Sequence, residues 1–312
     1  MTDLKNYAGF LDGFLISPAP FRLMNMTMSP FSTEDAFVNR KLWLKNKVTS
    51  VDTVEVNGHQ GTVTRSATEA IALALSQLHL VHDSEIWIET TTNNRYISSC
   101  VTNTIERFCK WSRNRTEKTV AILVVHEFGF VYPRMSDLVK LNIPIIEDAA
   151  YAMFSTGKEG MIGSWGDYVI YSLAKMFPMQ AGGVLVCKND VLLHRDMNLD
   201  ESQYFSRCYR RYIGQRVDIV CKRIRNHTIL KGLFADMGFE SRFHPDQGEV
   251  PGAFMFKAPG YNLAGLKVFM QSQGVECSVF YGEESFFVPC HQRMEECHLR
   301  YIADLVKWFS IS

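Results

Sequence analysis

Three short apolar runs, Glu85-Ile-Trp-Ile-Glu89, Val120-Ala-Ile-Leu-Val-Val125 and Ile143-Pro-Ile-Ile-Glu147, limit the folds open to this chain more than any other feature. Helical stretches near 97–112 and 134–141 separate them. Short strands alternating with helices form βαβ units, and strands apolar along their whole length are buried on both faces of a mostly parallel sheet. Two further strands are expected at Tyr168-Val-Ile-Tyr171 and Gly183-Val-Leu-Val-Cys187. Only a tight connection joins them, and it contains Lys175.

With 312 residues, 46% of them hydrophobic, the chain has material for a large α/β core and a second, smaller lobe, which excludes disorder. From Thr64 to Leu80 small hydroxyl residues give way to good helix formers, so a loop enters a helix over 69–78. Beyond Asp190 the chain turns basic and helical, with Arg207, Arg210, Arg211, Arg216, Lys222, Arg223 and Arg225. These cations read as the solvated face of a long helix, with contact to a phosphate as the alternative. Strand-like pieces at 253–257 and 277–281 and helices at 263–273 and 295–309 suit a small α+β lobe. The expected organisation is a large α/β domain over 1–190, whose first fifty residues are irregular, then a helical connection and a small C-terminal α+β domain over 191–312.

Lys+Arg and Asp+Glu number 33 each, so no overall field draws the protein to nucleic acid or an acidic membrane. The N-terminus carries no basic segment leading into an apolar run, and no span approaches the length of a transmembrane helix, so a cytoplasmic location is expected. Eight cysteines without CxxC spacing read as reduced and mostly buried. Cys290-His291 and Cys297-His298 have zinc-ligand chemistry, but adjacent residues on a helix diverge by about 100°. No metal is expected.

Asp148 follows a buried strand in Ile145-Ile-Glu-Asp-Ala-Ala-Tyr-Ala152, where open α/β sheets bind ligands, although an Asp there also caps a following helix. Lys175 lies in an apolar setting, and burial of an ammonium leaves more neutral amine to attack a carbonyl. Ser172, three residues earlier, offers a hydroxyl to a phosphate, and Gly182-Gly183 lets backbone approach a ligand or a neighbouring strand. Ser66-Ala67-Thr68 stands at a helix entrance, where free N–H groups and the dipole favour an anion, or where Ser66 is simply a cap. An anion loop before a helix, an acid after a strand and, 27 residues on, a lysine followed by a double glycine form one constellation. Pyridoxal 5′-phosphate needs this set: a lysine for its aldehyde, a carboxylate for its ring nitrogen and donors for its phosphate.

At these residues the chain resembles the fold-type I pyridoxal phosphate enzymes, and among them the DegT-type sugar aminotransferases. The resemblance rests on residues 66–75, Val-Val-His-Glu-Phe-Gly-Phe (124–130), 145–152, Ile-Gly-Ser-Trp-Gly-Asp (162–167) and Lys175 through Gly183. It continues faintly through Gly274-Val-Glu-Cys277 and Val288-Pro-Cys-His-Gln-Arg-Met294. It implies a mostly parallel central sheet flanked by helices, with Lys175 bonding the cofactor, Asp148 holding the pyridine nitrogen, and Ser172 with Ser66, Ala67 and Thr68 binding phosphate. Tyr151 falls where the family often has Gln or His near the cofactor's hydroxyl, and Tyr96 is the candidate ring to stack on the cofactor. Ser172 and Lys175 are closer together than in the family's Ser-x-x-x-x-Lys. The family's Gly-Tyr-Asn-Tyr-Arg-like stretch, by which the partner subunit helps hold phosphate, is missing after Asp190, and Asn198 is the candidate stand-in for its asparagine.

The resemblance implies an aminotransferase that moves an amino group from glutamate or glutamine to a nucleotide-linked keto sugar, for surface polysaccharide (such as lipopolysaccharide) or secondary metabolite synthesis. It also implies a homodimer with shared sites. A sugar dehydratase, an amino-acid decarboxylase or lyase, and a non-catalytic cofactor-binding regulatory protein remain as alternatives.

Overall fold

The computed structural model describes residues 9–11, 14–16, 26–44, 53–188 and 197–311. The expected domain boundary at 190 and half of the first fifty residues lie outside this description. A hairpin, β1 (Gly9–Leu11) and β2 (Phe14–Ile16), is followed by α1 (Thr33–Trp43), β3 (Val54–Val56), β4 (His59–Thr64) and α2 (Ala67–Ser76). Then come β5 (Glu85–Thr90), α3 (Ser99–Ile105), β6 (Lys110–Ser112), β7 (Thr119–Val125), α4 (Met135–Val139) and β8 (Ile145–Asp148). A small hairpin, β9 (Thr156–Gly157) and β10 (Gly160–Met161), leads to β11 (Tyr168–Ser172), the single turn α5 (Leu173–Met176) and β12 (Gly183–Cys187).

Eight strands form one sheet in the order β3-β4-β12-β11-β8-β7-β5-β6. The block from β11 to β6 is parallel, whereas β12 runs antiparallel to both β11 and β4. Side chains alternate between two buried faces, as the unbroken apolar strands require. In β11, Ile170 joins the core of α2 and α3, while Val169 and Tyr171 join the opposite core. Helix α2 starts where Ser66 accepts the Glu69 N–H at 3.1 Å, and it turns Ala70, Ile71, Ala74 and Leu75 onto the sheet. Burying Ile71 and Leu75 contributes about 1.5–3 kcal/mol each.

Two expectations need correction. The helix near 97–112 ends at Ile105, and Lys110–Ser112 form β6 instead, parallel to β5. Without β6 the outer edge of β5 would present unpaired backbone groups, and three residues suffice to cover it. The long cationic helix is two helices, α6 (Leu199–Ile213) and α7 (Arg216–Ala235), separated at Gly214-Gln215. Its face is not uniformly solvated: Arg223 is fully buried, Arg207 donates to the Leu42 carbonyl at 3.1 Å, and Arg210 to that of Thr53 at 3.0 Å.

Helix α6 lays Tyr204, Phe205, Cys208, Tyr209 and Tyr212 against the large sheet. The second core begins late in α7, at Leu230 and Phe234. There β13 (Glu240–Ser241), β14 (Phe254–Lys257), α8 (Leu263–Ser272), β15 (Ser278–Phe280), β16 (Ser285–Val288) and α9 (Glu296–Ile311) form an antiparallel sheet, ordered β13-β14-β16-β15, beneath two helices. Strands β13 and β16 carry no sequence signal of their own. All eight cysteines are free thiols, five of them buried. Among the described residues no helix is long and apolar enough to cross a membrane.

Two buried histidines make the fold acid-sensitive. Burial, with cationic neighbours, depresses His227 from 6.5 to about 4 and His291 from 6.5 to about 3. Both stay neutral in the folded chain while the unfolded chain protonates them first, so stability is full above 6.5 and falls as pH drops toward these values. Unfolding free energies from urea titrations at pH 7 and 4.5 should differ by roughly several kcal/mol, the lower value at pH 4.5. A flat profile over that interval would count against neutral burial of both rings.

Candidate active site

Asp148 is the last residue of β8, at the carboxyl end of the parallel strands, and is buried. Its Oδ1 accepts the Ala150 N–H at 3.0 Å. Its Oδ2 has no hydrogen-bond donor among the described residues, which leaves one carboxylate oxygen available to a ligand.

Lys175 sits on α5, the single turn between β11 and β12. The turn has one internal bond, from the Phe177 N–H to the Leu173 carbonyl at 2.8 Å. Its half-buried side chain places Nζ 3.9 Å from the ring centroid of Tyr151, and it pairs with no carboxylate among the described residues. Tyr151 in turn stacks on Phe128, with centroids 5.2 Å apart.

Tyr96, Asp148, Tyr151 and Lys175 line one cavity of about 510 Å³, together with His126, Glu127, Phe128 and Phe280. The volume is that of a small-molecule site, apolar with a few converging polar groups. Tyr96 packs on Phe280 at 5.0 Å between centroids, and burial raises its phenol above the usual range.

Ser66, Ala67, Thr68, Ser172 and Asn198 do not line this cavity. Ser172 ends β11 opposite Gly183 of β12, which itself pairs with Thr64 of β4. The N-terminus of α2 thus lies two strands from the lysine turn. The N–H groups of Ala67 and Thr68 have no partner among the described residues, as at any helix start that awaits an anion. Asn198 caps α6, accepting the Glu201 N–H at 2.8 Å. Glu201 pairs with Arg65 at 2.7 Å, which brings the start of α6 beside the start of α2.

Gly183 makes this approach possible. A Cβ there would lie 2.5 Å from the Ser66 carbonyl carbon and 2.7 Å from the Ala67 nitrogen, both backbone atoms. Gly183→Ala should therefore cost about 1–3 kcal/mol and weaken cofactor binding together with stability. Thermal melts and a cofactor titration check this, and wild-type values in both would refute the close packing.

Several site features escaped the sequence reading. His126 Nδ1 accepts the Tyr132 N–H at 3.1 Å, so its Nε2 carries the proton toward Glu147 Oε2, also at 3.1 Å. Burial alone would raise the Glu147 carboxyl, but His126 and the N–H groups of Gly163 and Gly166 outweigh it and hold the group below its usual range. This buried pair fixes the strand beside Asp148. Phe128 adopts a left-handed φ of 50°, costly for an aromatic residue. The Gly252 N–H, donating to its carbonyl at 2.6 Å, holds it there. Burial also pushes Glu127 up, against hydrogen bonds from Thr92 and Asn94. The only sequence signals near these residues were the stretches 124–130, 145–152 and 162–167.

Residues 112–217, about a third of the chain, match the family model of the DegT/DnrJ/EryC1/StrS aminotransferases. That stretch resembles the aminotransferase family. Aminotransferase chemistry, with pyridoxal phosphate as its cofactor, comes with this part of the chain, which includes Asp148, Tyr151, Ser172 and Lys175. Among solved structures, Spr1654 of Streptococcus pneumoniae in its PLP form, assigned as a sugar aminotransferase, is 15% identical with a TM-score of 0.70, covering 94% of this chain and 98% of its own. The aminotransferase from Psychrobacter cryohalolentis is 15% identical with a TM-score of 0.68, over 91% of this chain and 98% of its own. DesI, solved in the presence of its TDP-sugar product, is 14% identical with a TM-score of 0.64, over 80% of each chain. At such identities the likeness shows the fold, a mostly parallel sheet flanked by helices, as the sequence led us to expect. No curated protein matches the sequence.

The site fits this cofactor. A lysine amine without an ion partner and a buried carboxylate with a free oxygen face one cavity, and a helix N-terminus is brought near by a glycine that tolerates no Cβ.

Proposed function

We propose that the chain transfers an amino group from glutamate or glutamine to a nucleotide-linked keto sugar. The observation that carries the reading is the shared cavity of Lys175 and Asp148. The sugar rests on likeness to assigned sugar aminotransferases and to DesI with its TDP-sugar product. A cytoplasmic homodimer with shared sites, a cofactor domain over 1–190 and a smaller domain over 191–312 belong to the same reading.

When bound, pyridoxal phosphate supplies an electron sink for the bonds at the substrate's amine-bearing carbon. Asp148 Oδ2 keeps the ring nitrogen protonated. The Lys175 amine would hold the aldehyde carbon, and as a free amine it would serve as the general base and acid at the substrate's amine-bearing carbon. Tyr96 covers one side of the ring space, while Tyr151 underlies the lysine ammonium. Ser172 and the N–H groups of Ala67 and Thr68 hold the phosphate.

Incubation of the purified protein with glutamate tests the reading. An aminotransferase accumulates the pyridoxamine form and then discharges it onto a nucleotide-linked keto sugar. A spectrum indifferent to glutamate and glutamine would overturn the donor assignment, and discharge only onto simple keto acids would overturn the sugar.

A further inference from the structure

We infer that Arg223 is a positioning residue for Lys175, and that with Gln292 and Ser29 it forms a clamp fixing the direction of the lysine amine. The inference rests on the reading of Lys175 given above and adds Arg223 and Ser29, which no motif supplies, together with a role for Gln292.

A four-residue turn cannot hold itself, because nearly all its carbonyls lack helical partners. Here each carbonyl around the lysine finds a side chain from a distant segment. The Ala174 carbonyl accepts the Ser29 hydroxyl at 2.7 Å. The Lys175 carbonyl accepts Arg223 Nη2 at 2.7 Å, and the Met176 carbonyl accepts Gln292 Nε2 at 2.8 Å. Beyond the turn, Asn39 of α1 donates to the Pro178 carbonyl at 2.9 Å. Arg223 Nε also donates to Gln292 Oε1 at 2.9 Å, so these two side chains act as one unit.

The same guanidinium reaches the wall under the amine. Its Nη1 lies 3.5 Å from each of the Pro251 and Gly252 carbonyls. Gly252 is pressed against Tyr151 so closely that a Cβ there would lie 2.7 Å from the tyrosine ring. Arg223 thereby joins the lysine backbone to the loop supporting the ring beneath Lys175 Nζ. It is fully buried and meets only carbonyls and an amide, with no carboxylate among the described residues. An uncompensated buried cation is an expensive way to join two segments, and a hydrocarbon of similar volume would serve packing alone. What a hydrocarbon cannot do is set the orientation of one peptide through a fixed planar fork.

The test uses full-length wild-type protein, Arg223→Met, Arg223→Lys and Gln292→Met, each stripped of cofactor. Pyridoxal, which lacks the phosphate and so reports the lysine alone, is trapped on the protein with borohydride, and peptide mass spectrometry follows modification at Lys175 against exposed Lys188 over time. For the clamp, Arg223→Met slows trapping at Lys175 by roughly tenfold, Gln292→Met slows it less, Arg223→Lys recovers part of the rate, and Lys188 is unchanged in all. Circular dichroism and melting temperature report folding separately. A folded Arg223→Met that traps at the wild-type rate overturns the inference. Should that variant fail to fold, Gln292→Met decides by the same readout. Wild-type protein that never traps at Lys175 overturns instead the assignment of the lysine itself.

Discussion

The Lys175→Ala variant is expected to lose the visible absorption of bound cofactor and at least about a thousandfold in transfer rate, while melting close to the wild type. Two roles vanish together, the bond to the aldehyde carbon and the proton shuttle, and among the described residues no second amine lines the cavity to replace either. Folding should survive because the clamp on α5 grips main-chain carbonyls, which alanine retains. Among the described residues the ammonium's partner is the Tyr151 ring, a contact worth about 0.5–1 kcal/mol at a part-exposed site. Absorption spectra and a melting curve on one preparation decide the matter. An unchanged spectrum would place the cofactor on another lysine, and a collapsed fold would show that Lys175 supports the turn rather than serving the site.

The sheet and the lysine were legible for the same reason. Strands buried on both faces must be apolar along their length, and a short link between two of them leaves few conformations, so 168–171 and 183–187 bracket Lys175 unambiguously. Asp148 was legible because the carboxyl end of a parallel strand is where such sheets bind ligands. Other features depend on partners far along the chain. Strand β6 has three residues and exists because β5 has an open edge. Arg223 looks like its neighbours in a basic run, and only the return of 251–252 and 290–293 over α7 buries it. Phe128 gives no sign of its left-handed backbone, since glycine, the usual marker of that conformation, occurs next to it rather than at it. Asn198 was the candidate stand-in for the family's asparagine by position alone, and position gives no sign that its side-chain oxygen also caps α6, as it does in this fold.

Asp148→Asn should retain the fold and the bound cofactor yet lose roughly a hundred- to a thousandfold in rate, since a preorganised charge facing a developing charge carries effects of that size. The amide keeps an oxygen for the Ala150 N–H, so the local turn stays closed. What it lacks is the negative charge that keeps a pyridine nitrogen protonated inside a mostly apolar cavity. That difference can be isolated chemically by loading Asp148→Ala with a cofactor analogue methylated at the ring nitrogen. The analogue is permanently cationic and should restore much of the lost rate in the variant, where truncation to alanine leaves space for the methyl group, while giving the wild type no gain. If the analogue rescues nothing, or if Asp148→Asn transfers amino groups at the wild-type rate, the carboxylate does not hold the ring nitrogen, and its free oxygen faces the substrate instead.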